Sequence, residues 1–283
     1  MIAVTAATGH LGRLTVAGLL DAGVEPGQIV AVVRSPEKAA DLAERGVQVR
    51  FGDYDDPQSL GTALAGAGKL LLISGSDVGR RVQQHSAVVD AARQAGVSHI
   101  VYTSVLRPEQ SPVTEHLGSE AAIVASGLPH TLLRNGWYTE NYTSAITQAA
   151  DSGMIIGSAG AGRVSSATRA DYAAAAVAVL TGQGHQGRTY DLAGDVAWTY
   201  ADLAAAAAGV LGRDVAYQDL SPEAHKAALT GAGLPAPVAD FVVSADQAIA
   251  QGLLEDHSGD LARLIGRPTT PLADGLASDL KTS

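Results

Sequence analysis

In "VTAATGHLG", Val4 to Gly12, an apolar strand at the head of the chain passes through small residues into what reads as the first turn of a helix. A turn of this kind leaves backbone N–H groups at a helix N-terminus free to sit against a phosphate, and Gly9 and Gly12 supply the room. Three residues before Gly9 stands Ala6, where a further glycine would complete the pattern. A G-x-x-G pair alone is a weak signal, so its meaning rests on the strands and helices around it.

Beyond the turn the chain alternates regularly. The apolar runs Ile2–Thr5, Gln28–Val33, Val47–Phe51, Lys69–Ile73, His99–Thr103 and Thr131–Leu133 are short and apolar on both sides, which suits parallel strands covered on both faces. Helical stretches fall between them at Leu11–Ala22, Pro36–Arg45, Pro57–Ala65, Asp77–Ala95 and about Glu115–Ser126. Pro36 and Pro57 sit where a first helical turn tolerates proline, behind Ser35 and Asp56 as caps. Strand and helix in turn predict an α/β fold, a doubly wound parallel sheet, over residues 1–135.

After Asn135 the rhythm breaks. Helices are predicted at Tyr138–Ala150, Ala170–Leu180, Tyr200–Leu211, Pro222–Thr230 and Pro237–Gln251, with one short strand at Val215–Gln218. Residues 136–283 therefore read as a smaller, mostly helical substrate-side region, from which strands at 154–156 and 189–192 return to the main sheet.

The composition narrows the partners. A formal charge of −10 with scattered basic residues argues against a nucleic-acid surface. The absence of cysteine removes disulfides, thiolate metal sites and a thiol nucleophile together, and no metal site is expected. No run approaches the roughly 18 apolar residues of a membrane span, and no basic leader precedes the first strand. The expectation is a cytoplasmic protein without membrane or nucleic-acid partners.

Three further strand ends converge on the opening turn. The second strand closes in "VVRSPEK", with Arg34 22 residues after Gly12. An NAD site usually carries an acid here to accept a hydrogen bond from the ribose 2′-OH, whereas an arginine suits a 2′-phosphate. Lys38 adds charge one turn later, so the predicted cofactor is NADPH. Asp53 and Tyr54 of "GDYDDP" are placed to face the adenine, while Asp55 and Asp56 can cap the next helix. Ser74, Gly75 and Ser76 of "ISGSDVG" offer small groups and hydroxyls beside the pyrophosphate and the nicotinamide ribose.

The acid that usually completes such an active site is missing. Short-chain dehydrogenases protonate the alkoxide with a Tyr assisted by a Lys four residues on, and none of the four lysines (38, 69, 226, 281) comes after a tyrosine at that spacing. Ser104 of "VYTSV" stands where that system keeps its serine, and His116 and Glu120 of "EHLGSE" share a helix face as a candidate proton-donating pair or a plain helix pair. A positioned general acid contributes about 10²–10⁴-fold, so a chain without one suits an acceptor whose reduced anion is stable, such as a quinone. The segment for binding it is "LLRNGWYTENY": Asn135 and Gly136 beside the nicotinamide, then Trp137, Tyr138 and Tyr142 as aromatic surface. Asn141, Arg169 and Tyr102 are further polar candidates, and Asp171 is predicted to cap the Ala-rich helix.

Together "ATGHLG", "KLLLISGSDVGRR", "IVYTSVL", "TLLRNGWYTENY", "SATRADYAAAA" and "YDLAGD" resemble the NmrA-like atypical short-chain dehydrogenases, and among them the bacterial type-2 NADPH-dependent quinone oxidoreductases. The resemblance runs from Met1 to about Thr270 and implies a Rossmann domain, NADPH along the crevice and a quinone over the nicotinamide. It implies cofactor contacts from Thr8, Gly9, His10, Leu11, Arg34, Lys38, Asp53, Ser74 and Ser76, with Asn135 near the nicotinamide. The chain departs from the family's usual "TGATG" at Ala6, which bears on affinity for NADPH more than on the fold. Two other roles fit the same residues: an NADP(H)-sensing regulator that docks a transcription factor without turnover, and a reductase tailoring a polycyclic metabolite. A homodimer is a further expectation.

Overall fold

In the computed structural model, which describes residues 1–111 and 113–282, the first strand Ile2–Val4 (β1) turns into helix His10–Asp21 (α1). Then come Ile29–Val33 (β2), Ala40–Glu44 (α2), Gln48–Phe51 (β3), Pro57–Ala63 (α3), Lys69–Leu72 (β4), Arg81–Gln94 (α4), His99–Val105 (β5), Glu115–Ala125 (α5) and His130–Asn135 (β6). The second half holds Thr143–Ser152 (α6), Met154–Gly157 (β7), Arg169–Thr181 (α7), Arg188–Leu192 (β8), Tyr200–Leu211 (α8), Ala216–Asp219 (β9), Pro222–Gly231 (α9), Ala236–Ala250 (α10), Asp260–Ile265 (α11) and Leu272–Thr282 (α12).

The main sheet is seven-stranded in the order β3-β2-β1-β4-β5-β6-β8, and every pair in it is parallel. The order reverses between β1 and β4, which opens a crevice beyond the carboxyl ends of those strands. Alternate residues of each strand feed opposite layers. Ile29, Ala31 and Val33 of β2, Leu71 of β4 and Val101 of β5 pack under α1, α7 and α11. Val30, Val32, Leu70, Leu72, Ile100 and Tyr102 pack under α3, α4 and α5. The predicted doubly wound sheet is the observed one.

A third core belongs to the C-terminal half, where Trp198 and Tyr142 stand edge to face at 5.1 Å and Ile146, Ile155 and Leu203 close around them. One strand there departs from the sequence reading. Thr189–Leu192 joins the main sheet against β6, but β7 pairs with β9 in a separate two-stranded sheet. The edge beside β6 is taken by β8, and Ile155 of β7 is buried in the third core instead. The Ala-rich helix α7 is capped by Thr168, whose hydroxyl accepts from Asp171 N, rather than by Asp171. The fully buried Asp171 carboxylate instead holds the C-terminal strap, accepting from Thr270 N at 2.9 Å and from Arg267 at 2.6 Å.

At the opening turn a Cβ on Gly12 would lie 2.3 Å from the Ala6 carbonyl oxygen, so only glycine lets α1 start this close to β1. Ala6 takes a left-handed backbone, φ +48°. That conformation costs an L-residue about 1–2 kcal/mol, and glycine's greater freedom in the unfolded chain offsets about 0.4–1 kcal/mol of the relief. Ala6→Gly is therefore expected to raise the thermal midpoint by a few degrees at most, about 1 kcal/mol or less. A lowered midpoint in calorimetry would show that the alanine is not strained.

Candidate functional site

The crevice is a cleft of about 970 Å³, at the upper end of the roughly 300–1,000 Å³ common for small-molecule sites. It runs from the end of β3 to the end of β6, and within it the ends of β2 and β6 are four strand spacings, or about 19 Å, apart. Thr8, Gly9, His10, Leu11 and Gly12 line it from the opening turn, Arg34 and Lys38 from the end of β2, and Asp53 and Tyr54 from the end of β3. Ser74, Gly75 and Ser76 enter after β4, and Tyr138 after β6. The N-terminus of α1 opens on Gly9 with no side chain capping it, so its N–H groups remain available to an anion.

The charge is concentrated at the β2 end. Arg34 and Lys38 are both exposed, and among the described residues neither forms an ion pair with a carboxylate. The neighbouring Arg13 is committed to Asp41 at 2.6 Å. Two unpaired cations at the mouth of an anion-binding turn fit a phosphate on the adenosine ribose.

The floor is set by groups that the sequence did not advertise. His85 of α4 is fully buried, and its Nε2 accepts from Gly75 N at 3.0 Å. That fixes the proton on Nδ1, which lies 2.9 Å from Ser119 Oγ. Arg81 donates to the Gly75 carbonyl at 2.8 Å and pairs with Glu115 at 3.0 Å. Both backbone polar groups of Gly75 are thus held, and residues 77–80 form a turn before α4 rather than its first turn. Tyr54 presents its ring to the cleft, but its hydroxyl ties strand ends together, 2.6 Å from Thr5 Oγ1 and 2.7 Å from Ile73 O. Asp56 caps α3, whereas Asp55 accepts from Arg80 and Gln84.

Several candidates do not reach the cleft. Tyr102 is fully buried under α4 and α5, because strand alternation turns it away from the face that Thr103 presents to the cleft. Its hydroxyl meets His116 Nδ1 at 2.9 Å. The His116–Glu120 pair does not form: Glu120 takes a hydrogen bond from Ser104 at 2.5 Å and a two-pronged contact from Arg134 at 3.0 and 2.7 Å. That helix face packs on β5 and β6, which supply each residue with its own partner. Burial pushes His116 down to about 4 and His85 down to about 3, so both are neutral near pH 7. His116 is thus a structural base and not a proton donor at the site.

At the β6 end, Tyr138 accepts from Asn135 Nδ2 at 3.3 Å, leaving its own hydroxyl hydrogen uncommitted to any protein acceptor among the described residues. Burial raises its pKa above the usual phenol value, so it stays protonated. Arg169 lies 4.9 Å over the Tyr138 ring and donates to Asn141 Oδ1 at 3.2 Å. Asn135, Asn141 and Arg169 therefore form a polar surround behind Tyr138 rather than the cleft wall itself. Trp137 faces the other way, packing beside the third core and against Phe241.

The sequence matches the NmrA-like family over residues 1–254, and the chain belongs to that family. It is 48% identical over 280 residues to quinone oxidoreductase 2 of Escherichia coli, covering 98% of each chain. The structure of an E. coli NADPH-dependent quinone oxidoreductase with NADPH superposes with a TM-score of 0.95 at 48% identity, over 98% of this chain and 99% of that one. Citrobacter sp. triphenylmethane reductase with NADP(H) superposes at 0.94 with 42% identity, over 99% of this chain and 100% of that one. No helix among the described residues is long and apolar enough to cross a membrane.

The buried histidines make stability depend on pH. In the unfolded chain each takes a proton near pH 6.5, whereas in the fold His85 and His116 resist it down to about 3 and about 4. Between those values the unfolded state binds more protons, so their stabilisation is complete above about pH 7 and is lost as pH falls. Urea titrations from pH 6 to 4.5 should show stability falling, and His116→Gln should remove about one proton from the slope, roughly 1.4 kcal/mol per pH unit. Identical slopes would show that His116 does not stay neutral in the fold.

Proposed function

We propose that the protein is an oxidoreductase that uses NADPH to reduce a quinone or a similarly activated carbonyl or enone, by direct hydride transfer and without a Tyr–Lys acid pair. The carrying observation is the cleft itself, with unpaired Arg34 and Lys38 at one end and the uncommitted hydroxyl of Tyr138 about 19 Å of sheet away. Kinship with quinone oxidoreductase 2, and with a structure holding NADPH, supports the same reading.

The residues present fit the dinucleotide. The Gly9–Gly12 turn and the free end of α1 would hold the pyrophosphate, and Arg34 with Lys38 the 2′-phosphate. Ser74, Gly75 and Ser76, braced by His85 and Arg81, would shape the middle of the crevice. When bound, NADPH supplies the hydride and leaves as NADP⁺. Tyr138 is placed to give a hydrogen bond, and where needed a proton, to the acceptor oxygen, with solvent restoring it. Asn135 and Arg169 orient that phenol: the amide donates to its oxygen and the guanidinium lies over its ring. A quinol anion is stable enough that this hydrogen bond suffices, which is why a lysine to sharpen the acid is dispensable.

Two measurements test this reading. NADPH and NADH oxidation with a quinone panel should show a preference for NADPH in kcat/KM, falling about 10- to 100-fold in Arg34→Ala. Equal use of both cofactors by the parent would remove Arg34 from the role, and NADPH binding without acceptor-dependent oxidation would point to a nucleotide sensor. Tyr138→Phe should cost an enone acceptor about 10²-fold or more in turnover but a quinone less than about tenfold, since only the enone needs the proton. Equal losses for both acceptors would exclude Tyr138 as the acid.

A further inference from the structure

Helix α1 reaches the cationic end of the cleft as well as its centre. Arg13 makes the first hydrogen bond of the helix, its N–H donating to the Gly9 carbonyl at 2.9 Å, and it lines the cleft beside Arg34, Ser35 and Lys38. Its guanidinium then forks between two acceptors. Nη1 donates to the carboxylate of Asp41 in α2 at 2.6 Å, and Nη2 donates to the backbone carbonyl of Lys38 at 2.5 Å. The hydrogen bond from Arg13 holds the Asp41 carboxyl below its usual value, so it accepts as a carboxylate.

The two cations at this end are placed by different means. Arg34 directly follows β2, so the sheet fixes its backbone. Lys38 lies four residues further on, in the single 3₁₀ turn Pro36–Ala39, whose start no side chain caps. The Lys38 N–H bonds back to the Ser35 carbonyl at 3.0 Å, and the fully buried Ala39 anchors the turn in the layer under α1. The Lys38 carbonyl, at the exposed end of the turn, is taken by Arg13. A lysine stem is flexible, so the space its ammonium can reach is set by where its backbone is held.

We propose that Arg13 is a positioning residue for NADPH selectivity: braced on Asp41, it clamps the Lys38 carbonyl to α1 and so holds the Lys38 ammonium at the 2′-phosphate. Helix α1 thereby sets both anion sites of the cofactor. Its N-terminus meets the pyrophosphate, and Arg13 fixes the distance from there to the second cation. NADH has no 2′-phosphate, so the clamp acts on NADPH alone. A planar guanidinium can serve two acceptors at once from separate nitrogens, whereas a lysine at the same position keeps the charge and loses the fork. The proposal rests on the reading of Arg34 and Lys38 as the 2′-phosphate site.

The test titrates NADPH and NADH calorimetrically into the parent, Arg13→Lys, Arg13→Ala, Lys38→Ala and the double variant Arg13→Ala/Lys38→Ala, with KM and kcat measured alongside. Both Arg13 variants should weaken NADPH binding about three- to tenfold, while NADH binding and the kcat with NADPH stay near the parent. In the double variant, removing Arg13 should add less than about twofold to the loss from Lys38→Ala, because the clamp then has no ammonium to place. Parent-like NADPH binding in Arg13→Lys would show that charge alone matters, and fully additive losses would put Arg13 on the phosphate itself; either result overturns the clamp. Equal losses for NADH and NADPH would reduce Arg13 to a support of the fold and overturn it too. A parent that binds both nucleotides equally would overturn the 2′-phosphate site and the clamp with it. A parent that selects NADPH but oxidises it with no quinone would overturn the reductase reading alone, and the titrations would still decide the clamp.

Discussion

Everything in the site hangs on one place where there is no room for a carbon atom. Because a Cβ at Gly12 would sit 2.3 Å from the Ala6 carbonyl, α1 can begin directly above the end of β1, with its free N–H groups facing the crevice. That approach lets α1 pack along α7, so the layer over one face of the sheet starts from the same turn as the anion site. Ala6 carries the strain of this arrangement in its left-handed backbone, as residues at ligand-facing turns often do.

The crevice is held open from beneath by polar groups that never reach it. Gly75 has its N–H on His85 and its carbonyl on Arg81, and Arg81 in turn is balanced by Glu115. A charged His85 would set an N–H against the Gly75 N–H, so the shape of the turn after β4 depends on the imidazole remaining neutral. Burial secures that neutrality. On the far side Glu120 gathers Ser104 and Arg134, committing to the β5–β6 scaffold a pair of groups whose spacing on the chain suggests chemistry.

The sheet is legible in the sequence because parallel strands covered on both faces must be largely apolar, and the runs at Ile29–Val33 and Leu70–Leu72 are wholly so. The last of the six early strands reads short at Leu133 because Arg134 and Asn135 are polar, and it is the tertiary partners Glu120 and Glu109 that accommodate Arg134 there. The residues of the opening turn, Arg34, Asp53 and the Ser74–Ser76 turn are readable from strand ends, since topology brings all carboxyl ends to one crevice. The roles of His85, Arg81 and Gln84 are not. They look like the exposed face of a polar helix, and only their tertiary partners bury them. The destination of Met154–Gly157 is equally hidden, because an apolar tetrapeptide does not say which sheet it will join.

The distribution of the two tryptophans has an optical consequence. Trp198 is buried in the third core, and Trp137 packs against its edge, so the seven-stranded sheet contains no indole of its own. Intrinsic fluorescence of this protein is therefore a local signal, reporting on the C-terminal layer while remaining nearly blind to the nucleotide-binding layers. Far-ultraviolet circular dichroism, dominated by the whole set of helices, weighs both halves. The molecule thus carries separate built-in reporters for its two halves, and any difference between their unfolding curves measures how tightly the two are coupled.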